Sequence, residues 1–246
     1  MDSSTVIWMA MLMAVAAALY SSVGHGGASA YLAIMALFSV APATMRPTAL
    51  ALNLLVAGFG AFRYWSRSLS NWKLVMAFAA TATPAAFIGG GIAVPEIYYR
   101  PLVGIVLWFA AIRMLWQPAE LAWREVRAPR LWITLPAGAA LGLLAGLTGT
   151  GGGIFLSPLI ILLAWEEPRR TSGVVAAFIF LNSVAGLAGN VAAVGRLPSE
   201  LPILLAAVGS GALIGTWLGI DRLPRPWLLR ALGAVLLIAG AKLLFT

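Results

Sequence analysis

Eight separate runs of about twenty apolar residues fill most of this chain, the length an α-helix needs to cross a hydrocarbon core at 1.5 Å per residue. They lie at Thr5–Val23, Arg46–Trp65, Asn71–Val94, Tyr98–Gln117, Leu131–Thr148, Thr171–Val194, Glu200–Ile220 and Trp227–Phe245. Two shorter stretches, Ala28–Ala41 and Ile154–Trp165, each follow a glycine-rich break. They are too short to span and are expected as re-entrant arms. The pattern predicts an all-α polytopic membrane protein with eight long and two short helices.

Composition excludes the soluble alternatives. Only 10% of the 246 residues are charged and 61% are apolar, whereas soluble domains carry about a quarter charged residues. With no cysteine, disulfides and thiolate metal sites are ruled out, and one histidine without acidic clusters predicts neither a metal nor a cofactor. The net charge of +8 sits in short loops and forms no continuous stripe. Lipid is therefore the expected partner, and nucleic acid is not. Met1–Thr5 carries no Lys or Arg before the first apolar run, so that run is expected to be a retained helix.

One hydrophilic connection, Pro118–Arg130, separates two transmembrane halves, 1–117 and 131–246. Its charges interleave with apolar residues, as in a surface linker or an interfacial helix. The halves match. Gly24-His25-Gly26-Gly27 aligns with Gly149-Thr150-Gly151-Gly152 at an offset of 125, and Pro42 with Pro168 at 126. Asn53 aligns with Asn182, and Arg113 with Lys242, at 129.

Cation counting sets the orientation. If each first helix and its short arm form a V, twelve Lys and Arg residues fall on one face. Arg46, Arg100, Arg196 and Lys242 fall on the other. A pair that crosses once divides the same residues nearly evenly. The V is thus expected, which gives two inverted-topology repeats, each a glycine-kinked helix pair plus three long helices. Both termini are then expected outside the cytoplasm of a cell inner membrane.

The candidate site lies at the breaks. Each is followed by a helix start whose first N–H groups lack intrahelical partners. Two such starts brought together favour a small anion. The substrate-binding candidates are Gly24, His25, Gly26, Gly27, Ser29, Thr148, Gly149, Thr150, Gly151, Gly152 and Gly153, with Asn53 and Asn182 as substrate contacts or interhelical glue. Every Asp and Glu falls in a loop or at the end of an apolar run. His25 is therefore the one candidate for proton coupling, or else a hydrogen-bonded residue that fills the break. A membrane-embedded enzyme is not expected from one histidine without buried carboxylates.

The motifs Gly24-His25-Gly26-Gly27 and Thr148-Gly149-Thr150-Gly151-Gly152-Gly153, with Pro158 five residues on and Pro42 and Pro168 after the arms, resemble the sulfite exporter TauE/SafE family of membrane transporters. The likeness spans nearly the whole chain as two copies of the family's repeat. Ala28 and Ala33 depart from it where the second copy has Gly153 and Pro158. The resemblance implies export, or in some members uptake, of small sulfur-containing or organic anions such as sulfite and sulfonates. Alternating access driven by a proton or sodium ion is the expected mode, with a passive anion channel as the alternative.

Overall fold

The computed structural model describes residues 2–22, 24–115, 125–191, 195–221 and 226–245, and these form ten helices with no strand among them. The first half contains α1 (Ser3–Ser21), α2 (Ala28–Leu37), α3 (Pro42–Ser66), α4 (Trp72–Gly91) and α5 (Glu96–Leu115). The second contains α6 (Leu131–Thr148), α7 (Gly153–Leu162), α8 (Pro168–Gly189), α9 (Leu201–Asp221) and α10 (Pro226–Phe245). Over the described residues, α1, α3, α4, α6 and α8 are long and apolar enough to cross a membrane.

Local chemistry explains the boundaries. Pro42 and Pro168 open α3 and α8, where a missing N–H costs nothing, and each follows an extended residue. Asn71 caps α4 by accepting from the Leu74 N–H at 3.2 Å. The two short helices stop at Leu37 and Leu162, earlier than their apolar runs suggest. Ser39 and Ala164, 125 positions apart, turn left-handed there. The following amides of Val40 and Trp165 then close on Met35 and Ile160.

Glycines set helix direction by letting backbones touch. A β-carbon added at Gly211 or Gly215 would stand 2.1 Å from the Ala14 or Ala18 carbonyl oxygen, so α1 and α9 run parallel. Gly138, Gly142 and Gly146 meet Phe78, Ala82 and Ala86 in the same order, so α6 and α4 also run parallel. By contrast, α3 lies antiparallel to α8, with Leu50 at Gly186 and Ala176 at Gly60. The same holds for α5 and α10, where Gly104 meets Gly240 and Leu115 meets Gly233. The dominant contacts thus join one half to the other.

The first helix pair folds back on itself. Met9 of α1 and Phe38 after α2 line one cleft of about 330 Å³, together with Thr44, Thr48, Glu200 and Leu204. A chain running straight on would separate Met9 from Phe38 by more than about 30 Å. The ends of α2 and α10 share this face too, because Lys242 Nζ donates to the Leu37 carbonyl at 3.1 Å and to Ser39 Oγ at 2.8 Å.

Residues 116–124, most of the hydrophilic connection, lie outside the described residues, as do Arg222 and Arg225 of the cation count. Residues 125–130 are irregular, and the Arg127 amide donates to the Ala164 carbonyl at 2.8 Å.

Candidate functional site

The two breaks share left-handed glycines at their first and last positions and differ between them, where Gly151 is left-handed (φ 73°) and Gly26 is not. Gly24 and Gly149 take φ of 76° and 84°, and Gly27 and Gly152 take 92° and 77°. Only glycine visits this region without steric cost. Gly27 and Gly152 are the N-cap residues of α2 and α7, and neither helix start receives a side-chain cap. Their first amides have no carbonyl four residues back inside the helix, although the Phe155 N–H donates to the Gly152 carbonyl at 3.2 Å.

Each break first overshoots and then climbs back. A β-carbon at Gly24 would stand 2.4 Å from the Ser172 carbonyl oxygen, near the start of α8. One at Gly149 would stand 3.1 Å from the Arg46 carbonyl oxygen, near the start of α3. Two residues on, the breaks meet. A β-carbon at Gly26 would lie 2.2 Å from Asn53 Oδ1 and 3.1 Å from the Ile179 Cγ2 methyl. At Gly151 it would lie 2.7 Å from Asn53 Nδ2 and 2.9 Å from that same methyl. Asn53 and Ile179 each sit midway along a long helix, so the starts of α2 and α7 converge at the centre of the molecule.

The polar groups here are buried and incompletely paired. Asn53 is 1% exposed. Its Nδ2 donates to the Thr150 carbonyl at 3.4 Å, and its Oδ1 has no partner. Ser183 Oγ, also unpartnered and buried, would lie 3.4 Å from a Gly151 β-carbon. Asn182 is buried with both amide atoms unpartnered, but the residue that reaches Gly151 is its neighbour Ser183. The contacts of the breaks follow an offset of 126, which sets Asn53 against Ile179; the 129 offset had set it against Asn182. Buried polar atoms without partners are uncommon and call for a reason.

The remaining candidates brace the breaks. Ser29 Oγ lies 2.7 Å from the Tyr20 hydroxyl, and Tyr31 donates to the Gly26 carbonyl at 2.8 Å. Thr148 donates to the Leu144 carbonyl at 2.7 Å and lies 2.9 Å from Thr150 Oγ1. Tyr99 holds the Thr148 carbonyl at 3.0 Å. His25 is half-buried, with its ring edge-on to Tyr20 at 6.2 Å and its amide bonded to the Tyr20 carbonyl at 2.9 Å. Gly153 opens α7 against Ile179.

Sequence reasoning missed Tyr20, Tyr31, Tyr99, Ser183 and Arg46. Hydroxyls next to glycine breaks were a usable signal for the first two. Arg46 reads as a loop cation at the edge of an apolar run, yet it is 6% exposed and lies within α3.

Residues 9–243 match the sulfite exporter TauE/SafE family. The chain belongs to that family. Among curated proteins it is 37% identical to a probable membrane transporter protein, y4hK, of Sinorhizobium fredii, over 97% of this chain and 98% of that one. It is 26% identical to the probable membrane transporter protein YjnA of Bacillus subtilis, over 92% and 95%. No solved structure matches the chain. Membership of this family and these relatives make it a membrane transporter.

Proposed function

We propose that this TauE/SafE family member is a secondary transporter that exports a small anion, with sulfite and organosulfonates the leading candidates, by alternating access of two inverted repeats. The observation that carries this reading is the convergence of two uncapped half-helix starts on Asn53 and Ile179. Free N–H groups and the positive ends of both helix dipoles favour a negative guest at that point. Asn53 Oδ1 and Ser183 Oγ are buried polar atoms beside it, and the Ser183 hydroxyl can donate to an anion. The parallel pairs α1–α9 and α6–α4 support the inverted arrangement, since an exchange of halves converts one pair into the other. Burial of Asn53 and Ser183 favours a carrier over an open channel.

Flux of sulfite, thiosulfate, sulfonates and short carboxylates in proteoliposomes tests the reading. Saturable movement of at least one is expected, and movement of a cation with no anion overturns it. Currents far above carrier turnover, indifferent to imposed proton or sodium gradients, establish a channel instead.

Proton coupling through His25 is part of the proposal. His25→Ala is expected to abolish the response of transport to an imposed pH gradient while leaving anion binding within about threefold of wild type. An unchanged response makes His25 a hydrogen-bonded residue that fills the break and not the proton carrier.

A further inference from the structure

Arg46 sits in the second turn of α3, almost wholly buried. Its guanidinium donates to the carbonyl oxygens of Ile92 and Gly89, each at 2.9 Å, and to that of Gly90, all at the end of α4. Its Nε–H has no partner. Among the described residues no carboxylate pairs with it. Its backbone and Cγ lie against Gly149, about 3.3 Å from where a β-carbon would stand.

A helix C-terminus offers only about half a negative charge, so a full positive charge remains under-compensated inside the protein. Such residues are expensive and are kept where they act on a charged species. The repeat sharpens the point. Offset by 126, Ser172 occupies the matching place against Gly24, so a neutral serine suffices to seat the other break. The cation is an addition to a frame that packs without it.

We propose that Arg46 sets the charge selectivity of the anion site, acting as a fixed positive charge above the meeting point of the two half-helices. This inference rests on the anion reading given above. Seven residues, about 10 Å along α3, separate Arg46 from Asn53. In partly hydrated protein, a unit charge at that range changes affinity by about tenfold for a singly charged anion and about a hundredfold for a doubly charged one. Arg46 is thus a positioning charge whose effect scales with the charge of its guest, which capping of α4 alone does not do.

The test compares uptake of methanesulfonate, with one charge, and thiosulfate, with two, into proteoliposomes carrying wild type, Arg46→Gln or Arg46→Lys. Arg46→Gln, which removes the charge and keeps a polar side chain, is expected to raise the apparent KM about tenfold for methanesulfonate and about a hundredfold for thiosulfate. Arg46→Lys is expected to stay within about threefold for both. Equal losses for the two anions in Arg46→Gln, or no loss, overturn the inference. If wild type moves only one of them, an unchanged KM for that anion in Arg46→Gln overturns it. Wild type that moves no anion overturns the anion reading first, and this inference with it. Should Arg46→Gln fail to insert, Arg46→Lys decides. A preserved thiosulfate-to-methanesulfonate ratio supports a charge role, and a collapsed ratio overturns it.

Discussion

Asn53 touches both breaks at once, through Oδ1 at Gly26 and Nδ2 at Gly151, so one side chain monitors the approach of two helix starts. Among the described residues its side chain makes one hydrogen bond, a long one of 3.4 Å to the Thr150 carbonyl, and its loss removes an unsatisfied oxygen as well. Asn53→Ala is therefore expected to cost no more than about 1–2 kcal/mol of stability while reducing anion flux at least about tenfold. Thermal unfolding in detergent and proteoliposome flux, measured together, check this, and a large stability loss would make Asn53 a packing residue. The breaks themselves were legible because glycine runs of matched spacing are rare in helices that need side chains to pack. Arg46 and Ser183 were not legible as site residues. What satisfies Arg46 is a set of carbonyls more than forty positions away at the end of α4. What singles out Ser183 over Asn182 is the rotation of α8 about its own axis, which composition does not carry.

The helices were legible to within a few residues where a neighbouring residue in the chain ends them, as at Leu131–Thr148, which stops at the left-handed Gly149. Ends were misread where a distant group caps the helix. The third long run reads to Val94, but α4 stops at Gly91, where Arg46 takes up its last carbonyls. Packing between elements depends on missing β-carbons. At Gly142 an added β-carbon would stand 2.0 Å from the Ala82 carbonyl oxygen, a backbone atom that cannot swing aside. Gly142→Leu is thus expected to push α6 from α4 and destabilise the protein by about 1–3 kcal/mol. Gly195, with nothing within 4 Å, is the control, and Gly195→Leu is expected to leave the unfolding midpoint unchanged. Similar midpoints for the two variants would mean that α4 and α6 are not tightly engaged.

At the scale of the molecule, the helix directions assign every described loop to one of two faces. Thr44 and Thr48 at the start of α3 share a cleft with Glu200 and Leu204 at the start of α9, so the loop carrying Ser199 lies on the face opposite the end of α3, where Ser66 sits. Ser66 is close to Arg63, Arg67 and Lys73, on the cation-rich face, whereas the loop of Ser199 carries Arg196 alone. The distribution of Lys and Arg orients membrane proteins with the richer face in the cytoplasm, so the proposed topology puts Ser199 and both termini outside. The chain has no cysteine, so one introduced thiol gives an unambiguous signal. Both serines are exposed. A membrane-impermeant maleimide added to intact cells or spheroplasts is expected to label Ser199→Cys and to leave Ser66→Cys unlabelled until the membrane is opened. The reverse pattern turns the whole molecule over and moves Arg46 to the cytoplasmic side of the anion site. Labelling of both from one side breaks the V. In that case α6 and α7, which lie between the two positions, together cross the membrane once, and the half-helix starts no longer face each other.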